Sequence, residues 1–528
     1  MHECAGRLTY SIYLCLCSIF TFVAIFDIIS AVGCEIWLIG RIVHRRRIAR
    51  EVIHRIRCRD RPVLVRLFFT RDSLAYKKKG VFLVMNIQLS DHFTYRRLLR
   101  FCLSPIIMMV FTSVYGVVDG LFVSNFVGTT PFAAINLVMP FIMIFGGVGF
   151  MLGTGGSALV AKTLGEGKRD LANRYFSMMV MMCLVLGVAI SVVGVAFMKP
   201  IAVWLGADAE MLPDCVTYGR ITIAFNTAFM LQNLFQSFLI TAEKPKLGLA
   251  ATVAAGVTNM VLDALFIAVF HWGVAGAAIA TGLSQCVGGI FPFIYFIRPN
   301  NSLLRLTKTK IEFGAVIRAM WNGASEMVSS VTSSVVGMVY NFQLLKYAGQ
   351  NGVAAYGVLM YIEFIFVAMF IGYSIGSAPI ISFHYGAGNH DELKNMLKKS
   401  ITLMFAAGAI MVTAAQVLAV PLTSIFVGHD PQLHEMTVHG FRIFSLVYIL
   451  TGFNIFSSSF FTALNNGGIS AAISFLRTFG FKMTAVILLP SVFNLGIDGV
   501  WWATVTAETA AFIISLTFVI AKRKKYNY

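Results

Sequence analysis

The sequence predicts an all-α polytopic membrane protein, with twelve transmembrane helices in two six-helix repeats related by pseudo-two-fold symmetry about a central cleft. Three observations predict it. The 528 residues are 58% hydrophobic and only 12% charged, with a mean hydropathy of +0.78, far more apolar surface than a water-soluble core can use. Apolar stretches long enough to cross a bilayer as helices recur along the chain, too long and uniform for the alternating strands of an outer-membrane barrel. Short motifs also recur, in order, at a spacing near 221 residues.

The apolar spans fall at roughly 101–126, 134–162, 175–198, 217–241, 247–270, 274–297, 317–346, 354–384, 399–421, 437–463, 469–493 and 498–521. Their connections alternate in charge. KTLGEGKRDLANR, AEKPK, RPNNSLLRLTKTK, GNHDELKNMLKKS and the tail KRKKYNY are basic or mixed, whereas NFVGTTP, FHWG and FNLGID carry almost no basic residues and GADAEMLPD is acidic. The positive-inside rule then places both ends of the twelve-helix core in the cytoplasm, in a plasma or inner membrane. The net charge of +18 gathers in these loops and at the ends, which argues against nucleic-acid binding. Nine cysteines without CxxC pairs suggest neither a disulfide frame nor a zinc site. The expected units are a six-helix lobe over 95–297, a cytoplasmic linker over 298–316, a second lobe over 317–521 and a basic tail over 522–528.

Residues 1–84 differ from the rest. They hold five of the nine cysteines, an extra apolar stretch at 10–40 and an Arg-rich run, with 15 basic and 6 acidic residues. One reading is a further helix followed by a basic cytoplasmic arm. The other is that translation starts at Met85, since Lys79–Val81 can be encoded by a ribosome-binding sequence a few codons upstream; the nucleotide sequence decides between them.

The repeat is written in several places. Gly128, Ala133 and Ala134 recur as Gly349, Ala354 and Ala355; GSA at 156–158 recurs at 376–378; Gly165, Gly167 and Asp170 recur as Gly386, Gly388 and Asp391; and GVAGAAIAT (273–281) matches GIDGVWWAT (496–504). Two copies of an even number of helices share one orientation in the membrane, and a cleft between them is the layout that alternating access requires. The repeat also exposes an asymmetry, because Tyr340 stands where the first copy has Asp119, and Ala485 or Val486 where it has Asp263. The acids are therefore not needed to build the fold.

An acid in mid-membrane costs about 2.5–3.5 kcal/mol on insertion scales, so it needs a partner, a proton or a task. Tyr115 and Asp119 lie four apart on one face of the first helix, and Asn259 and Asp263 repeat that spacing on the fifth. Thr281 on the sixth helix, and Gln236 and Asn233 on the fourth, add polar groups. Converging, they make an oxygen-rich pocket with two carboxylates, suited to Na⁺ at Asp119, Asn259, Asp263 and Thr281; a proton is the competing occupant. The plain alternative, that each acid only hydrogen-bonds a neighbouring helix, explains one acid better than two confined to one repeat. On the seventh helix Glu326, Ser330, Ser333 and Ser334 share a face. Glu326 is a candidate second cation or substrate site, or part of a tightly packed seam. Gly116 and Gly120 would let another backbone approach Asp119. Glu363 and Glu508 read as structural, and Arg477 and Lys482 either pair with acids or reach the headgroups. The 46 Phe and 25 Met suit a cavity that repacks around varied ligands.

YGVVDGLFVSNFVG with AAINLV, GGSALVAKTLGEGKRDLA, NMVLDALF with GVAGAAIATGLSQ, and in the second half GSAPIISFHYGAGN and GIDGVWWATVTAE together resemble the multidrug and toxic compound extrusion (MATE) transporters, in particular the bacterial branch that includes DinF-like proteins. The resemblance covers about residues 95–520. It implies export of cationic amphipathic drugs by antiport with Na⁺ or H⁺, with no cofactor beyond that ion, by a chain acting as a monomer among membrane lipids. It carries the family's functional positions onto Asp119, Tyr115, Asn259, Asp263 and Thr281, with Gln236 or Asn233 as the fourth-helix amide and Glu326 as the seventh-helix acid. The tenth helix has no clear acid to complete a second cation site.

A lipid-linked intermediate or polysaccharide flippase of the same superfamily is the nearest rival. Moving a pyrophosphate headgroup needs cations, and the first-half spans hold only Arg220 and Lys162, near helix ends. An intramembrane enzyme is disfavoured: GYSIG (372–376), with His384 nearby, matches a nucleophile motif that needs a strand-to-helix turn but sits inside an apolar span. No phosphate-binding loop suggests ATP-driven pumping.

Overall fold

In the computed structural model of the chain, residues 87–428 and 430–528 are described; the expectations for residues 1–84 lie outside them. The first lobe comprises α1 (Tyr95–Phe126), α2 (Thr129–Gly165), α3 (Arg169–Trp204), α4 (Leu212–Ala224), α5 (Asn226–Thr241), α6 (Pro245–Asp263) and α7 (Gly273–Ile297). The second comprises α8 (Phe313–Asn322), α9 (Ala324–Gly386), α10 (His390–Val417), α11 (Ala419–Val427), α12 (Pro431–Phe444), α13 (Tyr448–Ala463), α14 (Gly467–Phe475), α15 (Lys482–Ser491) and α16 (Gly496–Tyr526). Among the described residues there is no strand. Among the described residues nine helices are long and apolar enough to cross a membrane, and eleven when α4 with α5 and α12 with α13 each count as one bent span. The 63-residue α9 breaks at Gly349 (φ 61°, ψ −152°), so it supplies two spans, and the described residues hold twelve. The chain is a multi-pass membrane protein.

The spans agree with expectation in place, and the structure adds their bends. The fourth span turns by 51° between α4 and α5, and the tenth by 50° between α12 and α13, at equivalent places in the two lobes. The fifth span passes into a π-helical turn at Ala264–Val269, and the eleventh has one at Leu476–Phe481. Apolarity and length mark where a span runs and carry no signal for a bend.

The backbone itself repeats. Positive φ occurs at Gly128 and Gly349, Gly167 and Gly388, Glu243 and Asn465, His271 and Asn494, and Gly273 and Gly496, pairs 221 to 223 residues apart. Each marks a reversal between spans, where the left-handed conformation favours glycine or asparagine.

The lobes meet by close backbone approach at one end. A Cβ on Gly165 would run into the carbonyl of Phe383, and a Cβ on Gly386 into that of Lys162, a reciprocal contact of the kind two-fold symmetry makes. Gly155 and Gly323 likewise abut Ala319 and Met151, and Gly372 and Gly376 abut Pro105, Ile106 and Cys102. The segment before α1 ties both lobes together at this same end. The Leu89 N–H donates to Glu243 Oε1 (2.6 Å) in the first lobe. The Phe93 N–H donates to Glu392 Oε1 (2.9 Å) in the second, and His92 Nδ1 lies 2.6 Å from Glu392 Oε2. Toward the other end, nothing approaches Gly116, Gly337, Gly349 or Gly357.

Candidate functional site

On α6, Gly256, Asn259 and Asp263 follow at intervals of three and four and share a face. Gly256 exists for close packing, since a Cβ there would meet the rings of Phe111 and Tyr115 on α1. With α1 drawn onto that face, Asp119, one turn beyond Tyr115, lies against both Asn259 and Asp263. Asn259 and Asp263 are 1% and 0% exposed, whereas Tyr115, Asp119 and Thr281 are half-buried. Apart from the residues of α1 and α5 that join the second lobe's core, such as Phe101 and Ile240, the core of this lobe is in two pieces. On α7, Thr281 and Gln285 fall between Ala278 of one piece and Phe296 of the other.

The polar groups gathered here are not satisfied by one another. Asp119 Oδ1, both oxygens of Asp263, both amide atoms of Asn259, Thr281 Oγ1, Gln232 Oε1 and Gln285 Oε1 are buried without a hydrogen-bond partner among the described residues. Burying such groups unpaired costs free energy, more for a carboxylate than for an amide, so a cluster of them calls for an explanation beyond packing. Among the described residues no three His, Cys, Asp or Glu side chains gather to hold a metal ion; the available donors are two carboxylates with amide and hydroxyl oxygens, a hard-ligand set.

The structure brings Tyr115, Asp119, Asn259 and Asp263 together and adds residues the sequence did not single out. Gln232 of α5 faces Tyr115 and fills the space beside Gly288 of α7. Tyr218 of α4, 2% exposed, lies near both acids, and Tyr361 of the second lobe stands with its hydroxyl 3.7 Å from where a Gly120 Cβ would be. Neither tyrosine shares a span or a motif with the acids, and only the bend at Phe225 and the lobe interface bring them near. Of the two expected amides, Asn233 donates to the Gly146 carbonyl of α2 at 3.5 Å, and Gln236 is buried one turn beyond Gln232. The backbone approach expected at Gly116 and Gly120 is absent: Gly120 meets a side chain and Gly116 meets nothing.

Glu326 stands apart, at the start of α9, beside the Met327 and Ser330 that approach Gly147 of α2. Its serine seam turns inward on its own helix, with Ser330 Oγ donating to the Glu326 carbonyl (3.0 Å) and Ser334 Oγ to that of Ser330 (3.2 Å). Arg477 does pair with an acid, its Nε lying 2.7 Å from Glu508 Oε1. Ser374 lies on continuous helix with His384 ten residues further along, about 15 Å by helical rise, so no nucleophile elbow is formed.

The MatE family model matches the chain twice, over residues 105–265 and 327–487. The chain belongs to the MatE family. The two matches start 222 residues apart, the same interval as the motifs and the positive-φ reversals, so each MatE repeat is one lobe. Curated relatives include the multidrug export protein MepA of Staphylococcus haemolyticus, 24% identical over 432 residues covering 82% of this chain and 94% of that protein. MepA of Staphylococcus saprophyticus is 22% identical with the same coverage. Among solved structures, a MATE transporter in complex with MaL6 superposes with a TM-score of 0.79 at 21% identity, covering 83% of this chain and 98% of that one. An outward-facing multidrug resistance MATE transporter gives 0.78 at 21% identity, covering 83% and 97%. These structures share the MATE fold.

Proposed function

We propose that this MatE protein is a secondary active multidrug efflux transporter that exports cationic amphipathic compounds by antiport with Na⁺ or H⁺, and that Asp119 and Asp263 are charged and discharged by the coupling ion in each cycle. One observation carries the reading: two carboxylates lie against each other in the first lobe, neither oxygen of Asp263 having a hydrogen-bond donor among the described residues, at positions the second repeat fills without acids. The MepA relatives, named as multidrug exporters, support the substrate class. The acidic character of the pocket supports a cationic substrate over a pyrophosphate-linked lipid.

In this cycle an ion entering from outside neutralises the pair and favours the state that releases drug. Its departure to the cytoplasm restores the charge and favours drug uptake. Na⁺ would be held by Asp119 and Asp263 with Asn259 and Thr281; a proton would be shared between the two carboxylates. Tyr115 and Gln232 border the pair. Gln236 belongs with the ion-coupling residues, and Glu326 with Asn233 is the candidate for substrate or second-cation contact. Linkage requires ion and drug to bind the two states with different affinity. Both ends of the core lie in the cytoplasm in this reading, and the monomer is the working unit in a plasma or inner membrane.

Ethidium efflux, measured in everted vesicles under separately imposed Na⁺ and H⁺ gradients, tests the proposal. Wild type responds to one gradient, and Asp119→Asn and Asp263→Asn each lose at least about tenfold of the gradient-driven rate, the loss expected when a coupling free energy of about 1.4 kcal/mol or more is removed. Undiminished efflux by both variants would refute the coupling role.

A further inference from the structure

The linker between the lobes builds a groove on the outside of the first lobe. Leu306–Thr309 run beside α3 and α7, and with Met181, Leu184 and Phe293 they border an open cavity of about 490 Å³. The linker is fixed there by hydrogen bonds: the Thr307 N–H donates to Ser177 Oγ (2.8 Å) and the Arg305 N–H to Asn173 Oδ1 (2.9 Å).

The floor of the groove is apolar and its mouth is cationic. Lys308 lines it. Arg174 stands three residues before Ser177 and seven before Met181, hence on the same face of α3, and Lys310 follows on the linker; all three side chains are exposed. They outnumber the exposed acids of these elements beside the groove, Asp170 one turn before Arg174 and Glu312, whose N–H reaches Met178 Sδ. None of the three pairs with a carboxylate among the described residues. Immediately beyond the groove, α3 bares Val185, Val188, Val192 and Phe197, each 54–65% exposed, a band that only hydrocarbon covers without penalty. The groove therefore sits where acyl chains give way to headgroups, whichever leaflet that is.

We propose that this groove binds an anionic phospholipid, with an acyl chain against Met181, Leu184, Phe293 and Leu306 and the phosphate between Lys308 and Arg174. The charge of the mouth selects the ligand. A zwitterionic lipid would bring its own ammonium into a cationic rim, and the cationic compounds attracted by the acidic site are repelled here. The site is thus distinct in chemistry and place from the pocket around Asp119.

The test is a fluorescence measurement on the purified full chain in neutral detergent. Phe293→Trp places a reporter in a groove whose lining contains no tryptophan, and its quenching, taken as the difference from the parent chain with its six native tryptophans, is compared between phosphatidylglycerol and phosphatidylcholine with brominated acyl chains. The groove predicts quenching by the glycerol lipid at a mole fraction about fivefold lower, the discrimination one interfacial cation supplies. Lys308→Ala combined with Arg174→Ala abolishes the preference while quenching by phosphatidylcholine persists. Met181→Trp gives the same pattern and stands in if the first reporter misfolds. Equal quenching by both lipids, a preference that survives the double substitution, or displacement of the lipid by millimolar glycerol 1-phosphate would each overturn the proposal.

Discussion

The two lobes share one backbone and treat its polar positions in opposite ways. In the second lobe, Tyr340 takes the place of Asp119, and its hydroxyl lies 2.8 Å from that of Thr504, the counterpart of Thr281. Asn454 and Glu508 take the places of Gln232 and Gln285, and Asn454 Nδ2 donates to Glu508 Oε2 (2.7 Å) while Arg477 binds the other oxygen at 2.7 Å. In the first lobe the corresponding atoms of Asp119, Thr281, Gln232 and Gln285 are orphaned. Neutral orphans do occur in the second lobe, among them Ser457 Oγ and Trp501 Nε1. The half-buried carboxylates of Glu326 and Glu363 also lack a hydrogen-bond partner among the described residues, but every fully buried orphaned carboxylate oxygen among the described residues belongs to the first lobe. At these positions one repeat pairs its polar side chains within the protein; the other leaves the equivalent atoms without a hydrogen-bond partner among the described residues.

The largest expected effect tests the closed side. Arg477→Ala leaves Glu508, 1% exposed, without its cation, and such a break costs about 3–5 kcal/mol. Thermal unfolding in detergent should fall steeply, whereas Arg477→Met with Glu508→Leu should recover most of the loss, because the pair as a whole is worth little against apolar packing. A smaller loss is expected at the lobe contact. Gly386→Val drives a side chain into the Lys162 carbonyl, and overpacking of this kind costs about 1–3 kcal/mol; Gly388→Asn, at a left-handed reversal with open space, is the tolerated control. Tyr340→Phe, which strands the Thr504 hydroxyl, should cost about 1 kcal/mol. The smallest effect on stability belongs to the open side, where Asp119→Asn and Asp263→Asn should leave the melting temperature unchanged or raise it, since they remove a buried charge that no protein group compensates. If these asparagine variants melt as low as Arg477→Ala, the contrast between the lobes is wrong.

Much of this architecture is legible in the sequence, for reasons specific residues make plain. The spans follow from length and apolarity. The repeat follows from glycines such as Gly128 and Gly349, whose positive φ no larger residue adopts as easily. The i and i+4 spacing of Tyr115 with Asp119 and of Asn259 with Asp263 is enough by itself to put each pair on one helix face. The partner helix for each face is not legible. Gly256 decides which face of α6 receives α1, and nothing in its own neighbourhood distinguishes it from the other glycines. That Gln232 meets Tyr115 turns on the rotation of α5 after the bend at Phe225, and Tyr361 reaches Gly120 only because the lobes are docked. Arg477 finds Glu508 from within a π-helical turn, an irregularity that shifts helical phase and defeats a 3.6-residue count.

The central claim is that the Asp119–Asp263 pair takes up a small cation. Thermal stability of the purified protein, followed against NaCl with choline chloride holding ionic strength constant and repeated across pH, tests it most directly. A ligand that binds the folded state at a hundred times its Kd adds about 2.7 kcal/mol. The account predicts a stabilisation of that order on adding Na⁺ or on lowering pH, present in wild type and absent in Asp263→Asn. Melting that ignores both ions, or a shift that Asp263→Asn retains in full, would contradict it.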